Sequence, residues 1–183
     1  MSNTFSFTPE SRQRVDQIIA RYPEGRQASA VIPLLDLAQR QAGGWLPRAA
    51  IEHVAEVLAM APMRVYEVAS FYSMFNLKPV GRHLVQICRT TPCWLRGSDQ
   101  LTRHCRQRFG TEAKEVTADG QFSWMEVECL GACVNAPVVQ INDDFYEDLS
   151  VEKLDAILDE CAHGRQPRPG SQIGRKGSEP VKA

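Results

Sequence analysis

Cys88-Arg-Thr-Thr-Pro-Cys93 and, after a long gap, Cys129-Leu-Gly-Ala-Cys133 set two cysteine pairs in this 183-residue chain, the first with four residues between the cysteines and the second with three. Four thiolates drawn from two loops are the donor set of a 2Fe-2S cluster, two for each iron. The unequal spacers argue against the neighbouring patterns. A zinc ribbon usually holds each half of its site in a Cys-x2-Cys knuckle and a thioredoxin-type dithiol needs the same spacing, which neither pair has. A Rieske centre needs two histidines beside two cysteines, and His83 and His104 are not spaced for that. A structural zinc site of unusual spacing is the alternative.

The flanking residues suit a negatively charged cluster. Arg89 and Arg96 bracket the first pair, and Thr90 and Thr91 offer hydroxyl donors. Pro92 removes one amide and stiffens the loop, while Gly131 permits a positive φ or a close backbone approach between the second pair.

Cys88-Arg-Thr-Thr-Pro-Cys93-Trp-Leu-Arg-Gly-Ser-Asp99 and Glu128-Cys-Leu-Gly-Ala-Cys133-Val-Asn-Ala-Pro-Val-Val-Gln-Ile-Asn-Asp143 resemble the thioredoxin-like 2Fe-2S subunit of respiratory complex I. The likeness reaches back through Pro33-Leu-Leu-Asp-Leu-Ala-Gln-Arg-Gln41 and Tyr66-Glu-Val-Ala-Ser-Phe-Tyr-Ser-Met-Phe75, and so covers roughly residues 8 to 160. It implies that Cys88, Cys93, Cys129 and Cys133 hold one 2Fe-2S cluster. It implies electron exchange with FMN on a neighbouring NADH-binding flavoprotein subunit, the large iron-sulfur subunit of complex I as a second partner, and NADH:quinone oxidoreductase as the parent enzyme. Equivalent subunits of NAD-reducing hydrogenases and NAD-dependent formate dehydrogenases carry related motifs. A stand-alone ferredoxin would not need a helical N-terminal part such as this chain has.

Composition agrees with a globular protein. Hydrophobic residues make up 43% of the chain and mean hydropathy is −0.31. With 21 basic and 22 acidic residues the net charge is −1, which gives no electrostatic reason for nucleic acid or an anionic membrane. No apolar run approaches the ~20 residues of a membrane span. The first residues, Met1-Ser-Asn-Thr-Phe-Ser-Phe-Thr8, lack a charged segment followed by an apolar one, so no secretory signal is expected. Six cysteines then argue for metal or redox chemistry rather than disulfides. The expected location is the cytoplasm, peripheral to the inner membrane within a membrane-bound complex, or the matrix side in a mitochondrion.

The expected fold is α+β, an N-terminal helical bundle over residues 1–78 and a thioredoxin-like α/β domain over 79–162. A flexible basic tail comes next over 163–183, with an ordered path across a partner as its alternative. Thr8 and Pro9 open a first helix that presents Val15, Ile18, Ile19 and Tyr22. Leu34, Leu35, Leu37 and Ala38 mark a second; Ile51, Val54, Ala55 and Leu58 a third; Val65, Val68, Ala69 and Tyr72 a fourth. Phe71, Tyr72 and Phe75 are read mostly as filling the bundle core and its junction with the next domain, and Trp45 as a packed loop anchor. Lys78-Pro-Val-Gly81 is the boundary turn.

Beyond it a strand runs from His83 to Cys88 and a helix from the cap Ser98 to Phe109, stopped by Gly110. A hairpin of Lys114–Thr117 with Gln121–Val127 follows around Ala118-Asp-Gly120, then strands at Val138–Asn142 and Phe145–Tyr146, and a helix from Ser150 to Ala162. Cys105 continues the face of Leu101 and Phe109, and Cys161 that of Val151, Leu154 and Leu158, so both are read as buried thiols outside the cluster. His53 and His163 have no ligand set, and Glu126, Glu128, Asp143 and Asp144 lie on solvated faces. No side chain is given a catalytic role.

Overall fold

A computed structural model describes residues 4–177. The chain divides into two compact units, one up to Pro79 and one from Val80 onward. No helix among the described residues is long and apolar enough to cross a membrane.

The first unit is helical: α1 (Pro9–Ile19), a 3-10 turn at Gln27–Ala30, α2 (Val31–Gln41), α3 (Arg48–Leu58) and α4 (Pro62–Phe71). Thr8 caps α1, its hydroxyl accepting the Ser11 amide at 3.2 Å, with Pro9 in the first turn where a missing amide costs nothing. The inward faces follow the helical period, with Leu34, Leu35 and Ala38 of α2 and Ile51, Val54, Ala55 and Leu58 of α3 closed around Val15. Each fully buried leucine here contributes about 2 kcal/mol. Two glutamines of α2 do what no periodicity reveals. Gln41 accepts the Thr8 amide at 3.0 Å and donates to the Ser6 carbonyl at 2.8 Å. Gln39 likewise accepts from the Asn76 amide at 2.7 Å and donates to the Met74 carbonyl at 3.0 Å. Each amide side chain replaces a strand partner for a non-helical segment whose backbone needs one.

The aromatic run at the end of α4 departs from expectation. Phe75 is buried, but Phe71 is 81% exposed and Tyr72 40%. The inward stripe of α4 is Val65 and Ala69. At about 100° per residue Phe71 lies roughly 120° away from Val65, so it faces outward. Tyr66, Met63 and Met74 are exposed as well.

The second unit is built on a mixed sheet of order β2-β1-β3-β4-β5, with β1 (His83–Cys88), β2 (Phe122–Val127), β3 (Val139–Ile141), β4 (Asp144–Glu147) and β5 (Gly170–Ser171). A parallel pair needs a crossover. The short α5 (Thr91–Leu95) and α6 (Ser98–Phe109) lie in the one between β1 and β2, which run parallel from His83 opposite Phe122 to Cys88 opposite Val127. β3 pairs antiparallel with β1 and β4, and α7 (Val151–Ala162) follows, capped by Ser150, whose hydroxyl accepts the Lys153 amide. Val85 and Ile87 pack with Leu101 and Cys105 of α6 and with Leu154, Leu158 and Cys161 of α7. Side chains alternate along a strand, so Cys88 points to the other face. There it joins a small separate cluster with Cys93, Ala136 and Val138.

Four local expectations shift. Gly97, at φ +92, takes the N-cap position of α6, and Ser98 begins the helix as a buried residue. The first arm of the hairpin before β2 is a single bridge, Val116 to Ser123, with Lys114 near it at φ +71. Cys93 sits on α5 rather than on a loop, Pro92 occupying the first turn of that helix. The segment read as a flexible tail contributes β5, with Gly170 opposite Tyr146 and Ser171 opposite Glu147 on the outer side of β4.

Candidate metal centre

The parallel β1–β2 pair brings the two cysteine loops together. Both strands end level, so the loop after Cys88 and the loop after Val127 leave the same edge of the sheet. Their entry is fixed by backbone bonds: the Arg89 amide donates to the Val127 carbonyl at 3.0 Å, and the Cys88 amide to the Val138 carbonyl at 3.1 Å. Cys93 is carried inward by α5 and is buried. Cys129 lies two residues beyond the end of β2 and is exposed; Cys133 begins the 3-10 turn Cys133–Asn135. Gly131 stands between them at φ +88, which a side-chain-bearing residue would adopt only with strain.

Within the second pair the two sulfurs are 3.3 Å apart, and the Gly131 amide donates to Cys129 Sγ at 3.4 Å. The Thr90 hydroxyl lies 3.3 Å from Cys88 Sγ. Around the first pair, Val138 and Ala136 are buried and Leu130, Ala132 and Phe145 pack against them.

The four thiols split into one low and one high member per pair. Burial pushes Cys88 upward, but donors from Thr90 and the Leu130 amide outweigh it and leave this thiol below its ordinary value. Burial pushes Cys93 up to about 12, and its hydrogen bond to Cys88 adds to the rise. Cys129 is lowered by the Gly131 amide and then by Cys133, while Cys133 is raised by its hydrogen bond to Cys129. In each pair a second thiolate is opposed by the first unless a cation stands between them. This donor chemistry fits a group that puts one iron at each pair. Among the described residues no set of three or more His, Cys, Asp or Glu side chains converges on a single point.

All four sequence-predicted cysteines therefore meet at one edge. Cys105 and Cys161 do not: they are buried under the opposite face, and burial pushes Cys105 up to about 12. Arg89 pairs with Glu128 at 3.8 Å on the surface, a contact of little energetic weight. The backbone donor at Gly131 was not singled out in the sequence; the signal for it is the glycine itself.

Known proteins with similar sequences or folds point the same way. The model of the thioredoxin-like 2Fe-2S ferredoxin family matches residues 15–162. The E subunit of NADH-quinone oxidoreductase from Rickettsia bellii (strain RML369-C) is 60% identical over 155 residues, covering 85% of this chain and 93% of that protein. NADH dehydrogenase (ubiquinone) flavoprotein 2, mitochondrial, of Dictyostelium discoideum is 49% identical over 175 residues, covering 96% of this chain and 71% of that protein. Among solved structures, an air-oxidised NAD+-reducing NiFe hydrogenase shares the fold at TM-score 0.61 and 24% identity, over 71% of this chain and 23% of that much longer one. With a family model spanning both cysteine loops and close relatives aligned along most of its length, this α+β chain belongs to the thioredoxin-like 2Fe-2S ferredoxin family.

Proposed function

We propose that Cys88, Cys93, Cys129 and Cys133 hold one 2Fe-2S cluster and that the chain is the electron-transfer subunit of an NADH:quinone oxidoreductase. The observation that carries the first half is the meeting of two thiol pairs at the common edge of β1 and β2. The second half is supported by the E subunits of NADH-quinone oxidoreductase among its relatives, 60% identical in the Rickettsia bellii case. The hydrogenase likeness, at 24% identity, speaks for the fold alone.

Bound at this edge, the cluster supplies one-electron exchange; the chain supplies its place and its surroundings. Each cysteine pair would hold one iron. The Thr90 hydroxyl and the Gly131 amide donate to sulfur and stabilise negative charge there. Val138 and Ala136 exclude water behind Cys88 and Cys93, whereas Cys129 remains open to an approaching partner. The proposed partner is an NADH-binding flavoprotein subunit that carries FMN, with the large iron-sulfur subunit as a further neighbour. The helical unit, whose α4 exposes Tyr66 and Phe71, contributes to holding them. Membrane association is then indirect, at the cytoplasmic face of the inner membrane or the matrix side in a mitochondrion.

The purified chain should carry about two irons and two acid-labile sulfides, and reduction should give a spin-half EPR signal. Colourless protein with stoichiometric zinc after anaerobic reconstitution would sink the cluster assignment.

A further inference from the structure

Asp148 is nearly buried, with its side chain 5% exposed, and it stands at φ +55 in the left-handed region. Its carboxylate is taken by the C-terminal segment. The Ser171 hydroxyl donates to Oδ2 at 2.7 Å, and the Arg175 guanidinium closes on the same group, Nε reaching Oδ2 at 3.2 Å and Nη2 reaching Oδ1. The amides of Ile173 and Arg175 fold back onto Ser171 Oγ at 3.3 and 3.1 Å, so the turn after β5 aims Arg175 inward. Arg175 Nη2 then donates to the Val134 carbonyl at 3.0 Å. Val134 is the residue directly after Cys133. Asp148 grips the same turn from its other side, its amide donating to the Asn135 carbonyl at 2.7 Å.

We propose that Arg175, brought in by the C-terminal segment, is a positioning residue for the second cysteine loop and places a fixed positive charge beside it. This rests on the reading that the four cysteines hold a 2Fe-2S cluster. The 3-10 turn Cys133–Asn135 ends in carbonyls that no helix continues, and two of them are held by Arg175 and by Asp148. Losing Arg175 frees the Val134 carbonyl and leaves the Asp148 carboxylate covered without its cation, so the turn that carries Cys133 relaxes. A planar guanidinium serves carboxylate and carbonyl together, which the single ammonium of a lysine does not. Removing the positive charge also raises the cost of adding an electron to an already negative cluster, so the reduction potential falls.

The test uses the full chain, loaded anaerobically, as wild type, Arg175→Ala, Arg175→Lys and Arg168→Ala. Arg168→Ala makes the same change of charge seven residues upstream, outside the ion pair. Cluster loss to an iron chelator, followed at the visible absorption band, should be about tenfold faster in Arg175→Ala, the lower end of the effect of losing an outer-shell partner. Arg175→Lys should recover the potential while still losing its cluster faster than wild type. Arg168→Ala should match wild type in both. If Arg175→Ala does not fold, Arg175→Lys against wild type decides by the loss rate alone. Loss rates and potentials for the Arg175 variants equal to wild type, or an equal effect of Arg168→Ala, would overturn the proposal. A wild-type chain without iron and sulfide would instead overturn the reading of the cysteines, and the two failures are told apart by the first sample.

Discussion

Gly81 is the residue whose substitution tests how the two cysteine loops are kept level. A Cβ added there would lie 2.4 Å from the Phe122 carbonyl carbon and 2.7 Å from both its Cα and its nitrogen. Ordinary carbon contacts begin near about 3.5 Å, so roughly an ångström must be found. All three obstacles are backbone of β2, which no rotamer change can move. The neighbouring backbone is tied down as well: the Gly81 amide donates to the buried Ser123 hydroxyl at 2.8 Å and the His83 amide to the Gln121 carbonyl at 2.8 Å. Gly81→Ala therefore adds an overpacking cost of about 1–3 kcal/mol. If the strands part, the loss of a buried hydrogen bond adds about 1–3 kcal/mol. A destabilisation of about 3 kcal/mol is expected from urea unfolding followed by circular dichroism. Gly25→Ala is the comparison, since Gly25 stands at φ +74 with nothing within 4 Å and should cost only about 1 kcal/mol. Because Gly81 leads directly into the register that ends with Cys88 opposite Val127, the yield of loaded cluster should fall in the same variant. An unchanged unfolding midpoint for Gly81→Ala, or an equal cost at Gly25, would refute the close-approach reasoning.

Replacing Cys88, Cys93, Cys129 or Cys133 with Ser should abolish or strongly alter the cluster spectrum, whereas Cys105→Ser and Cys161→Ser should keep it and cost ~1–2 kcal/mol through a buried hydroxyl; an intact spectrum in any of the first four contradicts the assignment. Asp155 joins α6 to α7, accepting from His104 at 2.8 Å and from Arg108. Burial pushes its carboxyl upward, but the Arg108 and His104 donors outweigh that and hold it below the usual range. A carboxyl lower in the folded state contributes stability above its unfolded value, about 4, and loses it as pH falls through the folded value. Acid unfolding of Asp155→Asn should therefore be less steep below about pH 4 than that of wild type, and identical acid limbs would show the cluster of charges to be idle. A chain beginning at Val80 should still assemble its iron and sulfide but retain the flavoprotein subunit much more weakly in a side-by-side pull-down; equal retention would move the docking surface onto the second unit.

The amino-acid sequence alone determined the features that spacing and local period control. The pairs Cys88/Cys93 and Cys129/Cys133 point to the proposed cluster because a two-iron core needs four thiolates. Thr8 with Pro9 and Ser150 mark helix starts because capping is a matter of three neighbouring residues. Cys105 and Cys161 could be placed inside because each repeats the apolar face of its own helix. The tertiary structure decided the features that depend on partners far along the chain. Nothing in the period of α2 singles out Gln39 and Gln41, whose partners lie more than thirty positions away. Phe71 reads as core until the two inward positions of α4 are known. Arg175 stands in a segment rich in glycine and proline that could not order itself. It becomes part of the fold only because β4 offers an open edge and Asp148 a covered carboxylate that requires a cation.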